Sequence, residues 1–223
     1  MPNPPNAKDV CIRLWDGAHL GDYLMTLPCG QALKEAGYNV VWSGCPFKFL
    51  NLPEGNATLV QPKGPGWTHE QWLDGAIEQF GVSVPRERWN LGFKPSPMYS
   101  RHTVICPSAE CDRKKADAHT WRRVLKDDPN PLAVVGPLSD HMYCRSLARD
   151  LGAMYVKEVD KVSWISWLAG ARRVVSLDTG SMHLADACGV DTVGLFMSTS
   201  PSTYYPYHSK KIASRRGVFG CLS

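Results

Sequence analysis

A carboxylate, two hydroxyls and an imidazole lie close together directly after the apolar run at residues 174–177, which predicts a buried strand. A helix-compatible stretch follows, and the first amides of such a helix have no intrahelical partner and carry partial positive charge. The pattern therefore predicts a phosphate or pyrophosphate site. An ordinary strand-to-helix turn, with Asp178 or Thr179 as a helix cap, would have the same pattern. The residues in question are Asp178, Thr179, Gly180, Ser181, Met182 and His183.

This segment and the residues after it resemble a family signature. After His183 come Ala185, Ala187, Gly189, Leu195-Phe196 and Thr199-x-Pro201. The pattern resembles the D-[ST]-G-x-x-H-x-A-x-A-x-G…LFG-x-T-x-P motif of family 9 glycosyltransferases, the heptosyltransferases, with Met197 where that family prefers glycine. The resemblance implies that the segment holds the diphosphate of a nucleotide sugar. It also implies that Asp178 and His183 orient the loop or contact the donor.

Near the amino terminus, Gly21 and Asp22 lie between a strand predicted at residues 10–15 and a helix predicted at 22–36. A Gly-Asp pair at this place resembles the start of the same family, whose acidic residue is the general base, and that role would fall on Asp22. Inverting sugar transfer needs an acceptor hydroxyl that loses its proton as it attacks. A helix N-terminus keeps a carboxylate ionised. The alternative is a helix cap, and His19 is a weaker candidate for the base.

A further part of the resemblance follows the strand predicted at residues 102–106. Pro107-Ser108-Ala109, two adjacent lysines and Trp121 resemble the family's P-G-[AS]…K…W element, in which the lysine neutralises the diphosphate. Ser108 replaces the usual glycine, and either lysine could fill the role. Asp140, after a strand predicted at 131–136, resembles the acidic residue that the family places near the nucleotide ribose. The candidate donor-binding residues here are Ser108, Lys114, Lys115 and Asp140.

Alternating strand and helix patterns predict an α/β fold of two Rossmann-like domains, with the GT-B-like arrangement that the resemblance implies. We expect an acceptor domain at residues 1–93, a proline-containing linker, and a nucleotide-sugar (donor) domain at 101–223. The family's acceptor half is longer, so this N-terminal half is expected to be shortened. Within it, strands are predicted at 38–42 and 58–61 and a helix at 69–80. Three tryptophans could stack on a sugar or base or pack in the core: Trp67, Trp72 and Trp89.

Composition favours a globular protein: 43% of the 223 residues are hydrophobic, and no apolar run approaches the length of a membrane span. The start does not resemble a signal peptide, and the 8 cysteines include no CxxC pair. We therefore expect a cytoplasmic protein with reduced thiols. The expected transfer is metal-independent, and the lack of a DxD pair in any loop is consistent with this expectation. A nucleotide-diphosphate sugar would serve as co-substrate, and no other cofactor is expected.

The net charge is +4, and 17 of the 25 lysines and arginines lie after residue 100. A lipopolysaccharide-like glycan is the acceptor that the resemblance implies, whereas the basic second half leaves room for hydroxymethylated, phage-type DNA. A basic tail would contact such DNA through Lys210, Lys211, Arg215 and Arg216. A binding module that holds nucleotide without transferring sugar is the alternative function. A homo-oligomer is a further possibility, because the chain ends soon after the T-x-P element.

Overall fold

The computed structural model describes residues 8–55, 57–86, 91–157, 160–214 and 217–221. The chain divides into two compact units, an N-terminal unit of Met1–Leu91 and a C-terminal unit of Gly92–Ser223. Within the described ranges, no helix is both long and apolar enough to cross a membrane.

The N-terminal unit contains the elements β1 (Asp9–Arg13), α1 (Leu20–Met25), α2 (Leu27–Glu35), β2 (Asn39–Ser43), β3 (Thr58–Leu59) and α3 (His69–Phe80). Its three strands form a parallel sheet in the order β2-β1-β3. The central strand is buried over residues 10–12, and the unit's helices follow the strands along the chain. Helix α3 has the bounds that the sequence predicts, because Thr68 caps its first turn and Gly81, with a φ of 66°, ends it.

The helix predicted at residues 22–36 is in fact two helices, and the first begins before Asp22. Pro28 has no N–H to continue the first helix, so the chain breaks at Thr26. The buried Thr26 hydroxyl donates to the Tyr23 carbonyl at 2.7 Å and accepts from Trp42 Nε1 at 2.9 Å. These bonds stabilise the break and place Asp22 in the first turn of a short helix.

The elements of the C-terminal unit are β4 (Thr103–Cys106), α4 (Ala118–Val124), β5 (Leu132–Gly136), α5 (His141–Leu151), β6 (Met154–Lys157), α6 (Lys161–Gly170), β7 (Arg173–Leu177), α7 (Gly180–Ala187), β8 (Thr192–Leu195), α8 (Pro201–Tyr204), β9 (Lys211–Ser214) and β10 (Gly217–Cys221). The described strands form a seven-stranded sheet in the order β10-β9-β8-β7-β4-β5-β6, in which only the β9–β10 pair is antiparallel. Short 3₁₀ turns at Asp112–Lys114 and Leu138–Asp140 follow β4 and β5.

The order of these strands fixes where the unit can bind a ligand. The chain runs outward from β4 through β5 to β6, then returns to β7 and runs outward in the other direction. This is the strand order of a doubly wound fold, whose ligands bind at the carboxyl ends of the strands where the order reverses. Here that switch point lies between β4 and β7, which pair in register up to Cys106 and Ser176. The loops after these two strands must therefore form the crevice.

Candidate functional site

A lysine bridges the two loops at the switch point of the C-terminal unit. Lys114 ends the short 3₁₀ turn in the loop after β4, and Asp178 directly follows β7. The Lys114 amine donates to the Asp178 carbonyl at 2.9 Å and to Asp178 Oδ2 at 3.1 Å. Because the amine is partly exposed while the carboxylate is buried, the pair leaves a cation at the mouth of the crevice.

A third loop reaches the same carboxylate. Thr199, in the loop between β8 and α8, donates its hydroxyl to Asp178 Oδ2 at 2.6 Å. Asp178 is only 5% exposed, so a charged donor and a hydroxyl donor together offset the cost of burying its charge. Thr199 is not among the site residues predicted from the sequence. The T-x-P element that contains it is the sequence signal that could have identified it.

The amino terminus of α7 lies beside this pair. Thr179 is the N-cap residue, but its side chain makes no cap hydrogen bond and donates instead to the Leu177 carbonyl at 3.4 Å. The Asp178 carboxylate is bonded to Lys114 and Thr199 rather than to the helix. Neither candidate cap therefore covers the first turn of α7, and the amides of Gly180 and Ser181 remain available to an anion.

The other residues of this segment differ in exposure. Gly180 and Ser181 are half-buried, so their backbone groups lie near the surface of the crevice. Met182 is fully buried, and its sulfur packs so closely against Gly194 in β8 that a Cβ there would lie 2.5 Å from it. His183 is 6% exposed. Met182 thus packs α7 against β8, and donor contacts by Met182 and His183 stay a prediction.

Lys115 points away from Lys114, toward the loop after β5. Its amine donates to Asp140 Oδ1 at 2.9 Å and lies 3.1 Å from Asp112 Oδ1. It also lies 5.6 Å from the centre of the Tyr143 ring. The hydrogen bond to Asp140 is the main reason that the pKa of Lys115 is raised. The two adjacent lysines are thus directed to opposite sides of β4.

Ser108 lies at the base of the crevice, between the ends of β4 and β5. Its hydroxyl is 3.4 Å from the buried Cys144 sulfur. Gly136, the last residue of β5, fits between them, since a Cβ there would lie 2.3 Å from Cys144 Sγ and 3.1 Å from Ser108 Oγ. This packing fixes the chain where it leaves β5 and turns toward Asp140.

In the N-terminal unit, Asp22 lies in the first turn of α1, after the loop that leaves the central strand β1. Its Oδ2 accepts a hydrogen bond from the His19 amide at 2.6 Å, so Asp22 does cap the helix. Gly21 is half-buried beside it, and His19 is exposed. The role of general base stays a prediction for Asp22.

The candidate stacking tryptophans have different environments. Trp72 is a core residue, 2% exposed, with its indole N–H donating to the Gly66 carbonyl at 2.8 Å. Trp67 is 56% exposed, and Trp89 lies outside the described residues. Trp15, predicted as the last residue of the first strand, lies after β1 in the loop that leads to Asp22 and is 42% exposed.

Across the described part of the chain, no group of three or more His, Cys, Asp or Glu side chains is arranged to hold a metal ion. No disulfide bond joins the cysteines at positions 11, 29, 45, 106, 111, 144 and 188.

A family comparison matches residues 76–222 to glycosyltransferase family 9 (heptosyltransferase). The match begins within α3, after all three strands of the N-terminal unit, so Asp22 lies outside it. No curated protein matches the chain by sequence.

Several solved structures share the fold. The E. coli heptosyltransferase WaaC with ADP is 16% identical, with a TM-score of 0.62 over 88% of this chain and 89% of that one. A family 9 glycosyl transferase from Veillonella parvula DSM 2008 is 11% identical, with a TM-score of 0.68 over 93% and 86% of the two chains. The E. coli ADP-heptose LPS heptosyltransferase II is 13% identical, with a TM-score of 0.56 over 93% and 89%. These likenesses confirm the predicted α/β, GT-B-like fold, and the three-stranded sheet of the N-terminal unit is its shortened half.

Proposed function

This chain belongs to glycosyltransferase family 9, and we propose that it transfers a sugar from a nucleotide-diphosphate sugar to a glycan hydroxyl, with inversion and without a metal ion. The observation that carries the proposal is the Lys114–Asp178 pair beside the uncapped start of α7. A cation and free amides at a switch point are what a diphosphate requires.

The diphosphate would bind between the Lys114 amine and the first amides of α7. As the bond between the anomeric carbon and the diphosphate breaks, negative charge grows on the departing oxygen. A fixed amine and oriented amides stabilise that charge as it develops. They supply the positive charge that a divalent cation would otherwise provide, so the proposal includes no metal ion. Lys114 rather than Lys115 fills this role, because the Lys115 amine is bonded on the Asp140 side.

Asp22 would act as the general base. The acceptor oxygen forms a bond to the anomeric carbon while its proton passes to the Asp22 carboxylate, and the nucleoside diphosphate leaves with the electron pair of the broken bond. Two observations support Asp22: it lies in the first turn of a helix, and it follows the carboxyl end of the central strand of its sheet. Ligands of open α/β sheets bind at that edge.

We propose a glycan as the acceptor, because one of the solved structures that share the fold is named as the E. coli ADP-heptose LPS heptosyltransferase II. The position of the basic tail gives little reason to propose DNA as the acceptor. The Lys211 amine lies 2.5 Å from Asp191 Oδ1, at the amino ends of β8 and β9. This edge of the sheet is opposite the carboxyl edge where the donor would bind. Arg215 and Arg216 lie outside the described residues. A cytoplasmic location and a homo-oligomer stay predictions.

The test is to incubate the protein with ADP-, GDP- and UDP-sugars, each with and without lipopolysaccharide core oligosaccharides, and to measure the nucleoside diphosphate released. We expect release that requires one donor, depends on the oligosaccharide and continues in EDTA. Lys211→Gln is the matched control, because it removes a lysine far from the crevice. Release from no donor would contradict the proposal, as would loss in EDTA that Mn²⁺ restores. Transfer to hydroxymethylated duplex DNA alone would replace the glycan.

A further inference from the structure

We propose that Lys115 is a positioning residue: it holds one oxygen of the Asp140 carboxylate so that the other can receive the ribose hydroxyls of the bound nucleotide. The inference rests on the proposed function, since it concerns the nucleotide site of the same crevice. It separates the roles of two adjacent lysines that the sequence does not distinguish.

The position of Asp140 in the sheet suits a ribose. In a doubly wound sheet, an acidic residue after the second strand hydrogen-bonds the ribose 2′-hydroxyl of a nucleotide whose phosphates lie at the switch point. In the C-terminal unit, β4 is the first strand and β5 the second, and Asp140 comes shortly after β5. The neighbouring switch point holds Lys114 and the start of α7.

Asp140 does not do what aspartate usually does at a helix start. It occupies the N-cap position of α5, an 11-residue helix, yet its side chain makes no cap hydrogen bond. Its Oδ1 accepts from the Lys115 amine instead. Within the described residues, Oδ2 has no hydrogen bond, and the side chain is 20% exposed. One carboxylate oxygen is therefore held while the other remains available at the crevice.

The Lys115 side chain is itself fixed from several directions. Besides Asp140, its amine contacts Asp112 and lies over the ring of Tyr143, and the side chain is only 21% exposed. Tyr143 belongs to α5, and its hydroxyl donates to the Ala116 carbonyl at 2.7 Å, which ties the lysine loop to that helix. Since the bond to Asp140 raises the pKa of Lys115, the amine remains charged at neutral pH.

These contacts predict what happens when the amine is removed. Without the Lys115 amine, Oδ1 of Asp140 loses the hydrogen bond that holds it, so the carboxylate is no longer fixed in one orientation. The ribose would then lose an acceptor that is held in place before binding. Losing this acceptor would weaken the binding of a ribonucleotide but not that of a 2′-deoxyribonucleotide. Losing a diphosphate contact would weaken the binding of both.

The experiment is calorimetric titration of the full chain with ADP and with 2′-deoxy-ADP; if the wild type binds GDP or UDP instead, that nucleotide and its 2′-deoxy form replace them. We expect the wild type to prefer the ribonucleotide by about 10-fold or more, as for a hydrogen bond to a charged group. Lys115→Gln should reduce this preference to about twofold or less, as should Asp140→Asn, and the double variant should add little. Lys115→Arg, which keeps a charged donor, should retain most of the preference.

Lys114→Gln is the matched control, because it should weaken both nucleotides equally and leave their ratio unchanged. The inference is overturned if Lys115→Gln keeps the wild-type ratio. It is also overturned if Lys115→Gln weakens both nucleotides equally, since Lys115 would then be a diphosphate ligand, or if the wild type shows no preference. A wild type that binds no nucleoside diphosphate contradicts the proposed function itself. If Lys115→Gln does not fold, Asp140→Asn and Lys115→Arg still give the comparison.

Discussion

The Lys114 amine lies 2.9 Å from the carbonyl oxygen and 3.1 Å from Oδ2 of Asp178, a residue 64 positions later in the chain. The two residues meet because β4 and β7 are adjacent parallel strands and each residue lies in the loop at its strand's carboxyl end. The same carboxylate holds Thr199 from a third loop. The loops after β4, β7 and β8 therefore all meet at Asp178, and together they hold the proposed diphosphate site in place.

Replacing Thr199 with valine should destabilise this arrangement. Valine has a similar shape but no hydroxyl, so the buried Asp178 carboxylate loses its 2.6 Å donor. We expect the free energy of unfolding to fall by about 1–3 kcal/mol, measured by urea denaturation. Thr199→Ser, which keeps a hydroxyl, is the control and should recover most of the loss. Equal stability of the valine variant and the wild type would show that Lys114 alone is sufficient for Asp178.

Gly136→Ala tests the packing at the end of β5. The new Cβ would lie 2.3 Å from the Cys144 sulfur, which must move. Overpacking of this kind costs about 1–3 kcal/mol of unfolding free energy. In a Cys144→Ala background the same change should cost distinctly less, because the sulfur is gone. Equal costs in the two backgrounds would mean that this contact does not limit the packing.

The stability of the C-terminal unit should depend on Asp191 in acid. Burial acts to raise the pKa of Asp191, but hydrogen bonds from Lys211 and Arg173 outweigh it, and the pKa is lowered. A carboxylate whose pKa is lowered by folding stabilises the fold above its unfolded pKa of about 3.9, and this contribution is lost as pH falls through the folded pKa. Melting temperatures measured from about pH 6 downward should therefore fall more steeply for the wild type than for Asp191→Asn. Parallel curves would contradict the lowered pKa.

Asp22→Asn should abolish transfer while leaving nucleotide binding unchanged. The amide oxygen can still accept from the His19 amide, so the helix cap is kept, but the proton acceptor is lost. A loss of about 10²–10⁴ in the rate of transfer is expected, measured as nucleoside diphosphate released in the presence of acceptor. Calorimetry with the free nucleoside diphosphate serves as the binding control. Turnover near the wild-type rate would leave Asp22 only as a cap.

The sequence predicts local features of this protein well. The strand, turn and helix around Asp178 follow from an apolar run and a glycine turn, and the bounds of α3 follow from its cap residues. The break at Thr26 also had a signal, Pro28, which the prediction of one long helix ignored.

The pairings across the crevice could not be predicted in the same way. Lys114 and Lys115 are adjacent and chemically identical, and only the order of the strands directs one to Asp178 and the other to Asp140. That order depends on contacts between residues far apart in the chain. The pairing of Lys211 could not be predicted either. The sequence places this lysine in a basic tail, whereas in the structure it is a strand residue paired with Asp191.

The diphosphate site is tested most directly by calorimetric titration of ADP, GDP and UDP into the wild type, Lys114→Gln and Lys211→Gln. We expect the wild type to bind at least one of the three. Lys114→Gln should bind it about 10- to 100-fold more weakly, since a charge-assisted phosphate contact is lost, and Lys211→Gln should match the wild type. Unchanged affinity in Lys114→Gln, or binding of none of the three nucleotides by the wild type, would contradict the assignment of the crevice between β4 and β7 as the diphosphate site.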